Sequence, residues 1–288
     1  MKKLMSSLLA LAILNLMFVS CEQQEKDNPP ELPPYESMFT DFSQFKVNEA
    51  NKSVPVTDLK STEEGTMINY GFSALEVGFF NIVLGVTLVI PVASFAAAFN
   101  HKPVFLGDAT WQWSYDVSGF AKTYKARLVG QVRSDDILWE MYLAVEGIGG
   151  HPEFLWFHGT SDLDGHGGQW ILNHSYEFQE PVLQIDWKSD GVEVGEIKYT
   201  YVRALNNNRE VEKGNGNYVE VGKLAGDLDA YYNIHIYNSN YDDFIDVNIE
   251  WSTTEYNGHV MCPEFFNDIE DPQWHCWDSY GYDVVCEN

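Results

Sequence analysis

The sequence predicts a mainly β protein of the α+β class. About eleven antiparallel strands form a large meander curled into a barrel or half-barrel, with one long apolar helix near the N-terminus packed in or over it. Three observations carry this. From Trp111 onward, apolar and polar residues alternate with a period of two. Turn-forming residues interrupt the alternation at short intervals. Residues 72–100 break the pattern with a long run that is apolar on every side.

Taken in chain order, "MKKLMSSLLALAILNLMFVSC" has two lysines, an apolar run and a small residue, Ser20, before Cys21. That is the layout of a secretory signal over residues 1–20. The apolar run ending in a small residue and a cysteine resembles the lipobox of bacterial lipoproteins. The resemblance implies that Cys21 is lipidated (diacylglycerol and palmitate) and becomes the first mature residue. Phe18 departs from the leucine usual three positions before that cysteine. Glu22 stands where an inner-membrane retention aspartate would be, so the implied address is the outer membrane, facing the periplasm or the cell surface.

Residues 21–34, "CEQQEKDNPPELPP", are acidic and hold four prolines, so they are expected to form an extended tether that does not pack. An acidic, Gln-rich start of this kind also resembles surface-export signals of Bacteroidetes lipoproteins. Residues 35–71 are mixed, with room for one short helix over the sheet. The whole of 35–288 is read as a single globular domain.

In the apolar run, Ser73 and Glu76 match the S-x-x-E capping box, which places the helix start there. Pro91 is expected to kink or divide the helix, and Asn100 to Pro103 to end it. The run is long enough to cross a bilayer. Ala74, Gly78, Asn81 and Gly85 fall on one stripe, a track suited to close approach of another backbone. That track, the missing flanking arginines and the outer-membrane address favour a helix wholly buried over residues 74–99, filling the sheet or closing it as a lid.

The strands follow: "WQWSYDV", then "YKARLVGQV" and "ILWEMYLAV" as a hairpin across Arg133 to Asp136. "EFLWFHG" and "QWILNHS" flank "TSDLDGHGG", and "VLQIDWKS" and "EIKYTYVRA" flank Asp190 and Gly191. After these come "NYVEVGK", "AYYNIHIYN", "FIDVNIEWSTT" and "HVMC", the last two meeting at Asn257 and Gly258, a two-residue hairpin signal.

The order of "GFFNIVLGVTLVIPVASFAAAFN", "WQWSY", "WEMY", "FLWFHG", "GQW", "IEW" and the terminal "WHCWD" with its following cysteine resembles a group of uncharacterised Bacteroidetes lipoproteins. The resemblance implies this helix-and-sheet layout and implies no activity.

Composition narrows the function classes. The chain has 43 Asp and Glu against 17 Lys and Arg, a net charge of −26, which excludes nucleic acid as a partner. Aromatic residues make up 15%, an excess that suits sheets and stacking surfaces. Asp162, Asp164 and His166 mimic the first half of a calcium-binding loop, but Asn173 stands at the twelfth position where a bidentate glutamate belongs. No cofactor is predicted, with calcium at this loop as the alternative. His158 and His166 are a candidate pair across one hairpin. Cys276 and Cys286 flank a short loop and are candidates for a disulfide, with Cys262 and Cys276 as the competing pair. No H-E-x-x-H, G-x-S-x-G, P-loop or dinucleotide fingerprint occurs, so no catalytic residue is nominated.

The expected function is therefore a non-catalytic binding or structural lipoprotein. By analogy with lipocalin-like carriers, it would hold an apolar small molecule in the curved sheet. The alternative is a surface glycan binder using Trp274, Trp277, Tyr280 and Tyr282, and a third is a hydrolase without a recognisable motif.

Overall fold

The computed structural model describes residues 28–40, 45, 65–119 and 122–286. The expected signal over residues 1–20 and the expected lipidation site Cys21 lie outside the described residues. A 3-10 turn, η1 (Tyr35–Ser37), precedes α1 (Ile68–Ala98), the one long helix among the described residues. The strands are β1 (Val104–Gly107), β2 (Thr110–Gly119), β3 (Lys122–Val132), β4 (Asp136–Val145) and β5 (His151–Asp162). Next come β6 (Gly167–Asn173), β7 (Pro181–Ser189), β8 (Val194–Tyr201), β9 (Tyr218–Lys223) and β10 (Ala230–Asn238). β11 (Asp243–Trp251) and β12 (Gly258–Met261) lead to a one-turn helix, α2 (Pro263–Phe266), then β13 (His275–Trp277) and β14 (Asp283–Val284).

All fourteen strands form one antiparallel sheet in which every strand pairs with its sequence neighbours. The sheet curves without closing: β1 and β14 are not paired. This is the expected antiparallel meander in its half-barrel form, with fourteen strands against about eleven expected, since β1, β13 and β14 join its ends. The connection at Asn257 and Gly258 is also corrected. Gly258 is the first residue of β12, and residues 252–257 form a longer loop held by Ser252 N donating to Asn257 O at 2.8 Å.

Alternation puts one side chain in two on the inner face, where they form one continuous core with α1. Its bulk is aromatic. Trp139, Trp170, Trp187 and Trp277 are among the largest side chains in it with essentially no exposed surface. Large rings fit because glycines face them. In register across β3 to β6 lie Gly130, Trp139, Gly159 and Trp170, alternating glycine and tryptophan. A Cβ on Gly130 would stand 2.6 Å from the Trp139 ring, and one on Gly159 would stand 2.7 Å from the Trp170 ring. Each ring therefore leans over a neighbouring backbone that has no side chain of its own.

The N-terminal segment enters this core. Leu32 packs against it, Pro33 is buried, and Ser37 and Met38 are fully buried. Ser37 Oγ accepts a hydrogen bond from Trp170 Nε1 at 3.0 Å, and Thr40 N donates to the Tyr199 hydroxyl at 3.0 Å. Packing thus begins inside the stretch expected to be a free tether. Farther on, Phe45 stacks on Tyr70 at 5.6 Å and meets Trp251 edge-on at 5.0 Å.

α1 lies along the sheet with its two ends on opposite flanks. Near its start, Asn69 Nδ2 donates to Cys276 O in β13 at 2.8 Å. Near its end, the Tyr115 hydroxyl of β2 donates to Ser94 O at 2.6 Å. Phe95, with no exposed surface, meets Trp170 at 5.1 Å and Phe157 at 6.4 Å. The helix starts at Ile68, five residues before the expected capping box. Ser73 lies inside it and donates back to Asn69 O at 2.9 Å. Pro91 sits within α1 without dividing it.

The N-terminus of α1 is capped from the far end of the chain. Asp283 accepts from Ile68 N at 3.1 Å and Asn69 N at 3.0 Å, and the Thr66 hydroxyl also donates to it. A carboxylate there satisfies otherwise free amides and complements the helix dipole. Replacing Asp283 with alanine is expected to lower stability by about 1–2 kcal/mol. Asp283→Asn, which keeps an acceptor without the charge, should lose less. Chemical denaturation of the three proteins measures both.

Candidate functional site

The strongest functional feature is the face of α1 turned away from the sheet. Its inward stripe, Asn69, Ser73, Val77, Leu84, Leu88, Pro91, Phe95 and Ala98, recurs at helical spacing. The outward residues Leu75, Phe79, Ile82, Val86 and Val89 are separated by four, three, four and three positions. Ile82 is 70% and Val86 73% exposed. Only 28% of the most apolar window of the helix is buried, so the expectation of a wholly buried core helix is corrected. One stripe is core, flanking residues such as Phe72, Phe80, Ile90 and Val92 are partly buried against it, and the opposite stripe faces outward. The small-residue track is corrected as well, because a Cβ on Gly78 or Gly85 would meet nothing within 4 Å. By length and composition the helix also suffices to cross a membrane.

Beside the first turns of α1 lies an open groove of about 490 Å³, lined by Phe72, Glu76, Ile236, Val247, Cys262 and Phe265 among others. Phe72 stacks on Phe265 at 4.0 Å and forms one wall. Burial raises the pKa of the Glu76 carboxyl. Cys262 is 1% exposed, and its pKa is pushed up to about 11, chiefly by burial, with Glu264 and Glu76 adding to the rise. A reactive thiolate needs positive surroundings. Cys262 is therefore expected to resist maleimide at pH 7 in the native protein and to react on unfolding. Thiol counting by mass spectrometry checks this.

The sequence-predicted residues fall at separate places. Asp162, Asp164 and His166 occupy the exposed β5 to β6 turn, where His166 N donates to Asp164 Oδ1 at 3.3 Å. Gly165 N closes the turn on Asp162 O at 3.1 Å. Among the described residues no group of three or more ligating side chains converges there or elsewhere. His158 lies on β5 opposite Ile171, away from the turn that carries His166.

Cys276 and Cys286 are joined in a disulfide with a Cα separation of 5.3 Å. The loop they close carries Asp283, so the bridge also steadies the helix cap. Reduction is expected to cost about 2–3 kcal/mol. Its effect should be less than additive with Asp283→Ala, and thermal melts with and without a phosphine reductant measure this.

The four C-terminal rings do not share one surface. Trp277 is 2% exposed and donates from Nε1 to Tyr256 O at 3.2 Å. Trp274 stacks on His259 at 3.8 Å, and Tyr282 lies against Gly65. Tyr280 alone of the four is exposed, at 41%.

Sequence reasoning missed a ladder on the outer face of the sheet. Lys198 Nζ lies 3.7 Å from the Tyr218 ring centre, Tyr218 stacks on His235 at 5.2 Å, and His235 stacks on Phe244 at 4.5 Å. His235 Nδ1 is 2.7 Å from Asp246 Oδ1. These rings cover one another's faces, which makes them cross-strand packing rather than a platform for a sugar. The signal was available as one aromatic or histidine at an outward position on each of three successive strands.

No protein-family model, curated protein or solved structure matches the chain.

Proposed function

We propose that this is a non-catalytic, lipid-anchored protein of the bacterial cell envelope that holds an apolar partner on the outer face of α1. The carrying observation is that face itself, an extended row of exposed apolar residues on a helix whose other side is locked into the core. Folded soluble proteins seldom leave such a patch open without a use for it. The inner side of the sheet is a less suitable place for a ligand, because the chain fills it with Trp139, Trp170, Phe95 and Met38. Binding of an apolar molecule therefore moves from the curved sheet to the helix.

Nile red added to the mature chain without its lipid should brighten and shift to the blue. Ile82→Ser combined with Val86→Ser should remove at least half of that signal. A signal unchanged in the variant would place the apolar site elsewhere. The anchor is tested separately: the full chain should incorporate a palmitate analogue, and Cys21→Ala should not.

The glycan alternative rests chiefly on Tyr280 among its four rings. Retention on polysaccharide gels that disappears in Tyr280→Ala would favour it.

A further inference from the structure

We propose that the partner of α1 is the surface of a neutral or zwitterionic bilayer, on which the helix lies flat with its outward residues among the headgroups and upper acyl chains. This rests on the reading of α1 as the working surface.

Four observations support it. First, the apolar face is extended. α1 has 31 residues, about 46 Å of helix. Exposed apolar residues also lie next to both ends of the helix, Phe265 near the start and Phe99 just after the end. Second, α1 cannot leave the body to span a bilayer without withdrawing Val77, Leu84, Leu88 and Phe95 from the core and releasing the Asp283 cap. A helix held along one side and apolar on the other lies on a membrane rather than crossing it.

Third, the charge pattern selects the lipid. Glu76 is the one charged residue in Ile68–Ala98, and it lines the groove. The polar side that an interfacial helix needs is supplied by the sheet to which it is bolted. With a net charge of −26, the molecule is repelled by anionic headgroups, so the favoured surface is uncharged overall.

Fourth, the anchor is short. Lipidation at Cys21 leaves six residues, 22–27, before the first described residue, Asn28. Seven steps of chain reach at most about 25 Å. The chain then enters the core beside α1, since Ser37 bonds the Trp170 ring that Phe95 touches. A body tethered so closely, with its apolar face next to the point of entry, is held against the bilayer.

The four-three spacing of the outward residues would also suit pairing with a second copy. Helical seams of that kind are flanked by charges that fix partner and register. Here the flanking positions are Gly71, Gly78 and Gly85 on one side and Glu76, Val83 and Ile90 on the other, so the one charge among them, Glu76, has no opposite charge along the seam to pair with.

The test uses residues 22–288, which keep every described contact and lack the lipid. Flotation with phosphatidylcholine vesicles should recover the protein with the lipid, and anionic phosphatidylglycerol vesicles at low salt should recover several-fold less. Ile82→Glu combined with Val86→Glu should reduce flotation at least ten-fold with the melting temperature unchanged. Should that variant misfold, Phe79→Ser with Ile82→Ser is expected to reduce flotation several-fold. Wild-type protein that stays with the lipid-free fraction would overturn the proposal. So would a dimer in native mass spectrometry that the same substitutions dissolve, which would assign the face to a second copy. Palmitate labelling of Cys21 without flotation would leave the anchor standing and remove the bilayer surface. Flotation without labelling would do the reverse.

Discussion

Phe95→Ala is expected to destabilise the protein by about 3–5 kcal/mol, one of the two largest single-residue effects anticipated here. Phe95 has no exposed surface, and its ring meets Phe157 and Trp170, in β5 and β6, while its backbone belongs to α1. Truncation therefore opens a cavity where helix and sheet join, ringed by large side chains that cannot collapse to fill it. The control lies on the same helix. Val86→Ala, at a position 73% exposed, should change stability by no more than about 0.5 kcal/mol in either direction. Urea unfolding of the two variants beside the wild type gives the comparison. Equal losses would mean that α1 is surrounded by protein, and two small losses would mean that it is not seated on the sheet.

Gly159→Val is expected to cost about 3 kcal/mol, at the upper end for overpacking a core. Gly159 pairs with Trp139 on one side and Trp170 on the other. A Cβ there would press on the Gln169 carbonyl as well as standing 2.7 Å from the Trp170 ring. The carbonyl belongs to the β6 backbone and cannot swing aside as a side-chain tip would. Gly159→Ala should lose less, and Gly195→Ala, where nothing lies within 4 Å, should be close to neutral. Thermal denaturation of the three variants checks the order.

Much of the sheet was legible because it is made locally. Eleven strands announced themselves by a period of two, and the β3 to β4 turn closes where Arg133 and Asp136 suggested, with Arg133 N donating to Asp136 O at 2.8 Å. What the sequence hid depends on distant partners. β13 and β14 have three and two residues, too few to show alternation, and exist because β12 offers an edge. The helix start was misplaced because its cap is Asp283, 215 residues from the Ile68 amide it serves, whereas Ser73 and Glu76 offered a local match.

The candidate surface was hidden for a different reason. α1 is apolar on all sides, so hydropathy has no period from which to choose the buried stripe. That choice is made by Tyr115, Phe157, Trp170 and Cys276, which lie on strands far along the chain. The C-terminal rings misled in the opposite sense. Trp277 shares a run of aromatics with Tyr280, yet it faces inward while Tyr280 is exposed. Their common composition concealed two environments.

The most direct measurement is cysteine accessibility along α1 in residues 22–288 without detergent. Cys262 is buried, and Cys276 and Cys286 are paired, so among the described residues the native background is low. Single substitutions Ile82→Cys, Val86→Cys and Val89→Cys should react with a maleimide at the rate of a free thiol. Leu84→Cys and Leu88→Cys should react at least a hundred-fold more slowly, giving a modulation at helical period. Uniform protection of all five would contradict the open face, and uniform reactivity would contradict the seat of α1 on the sheet.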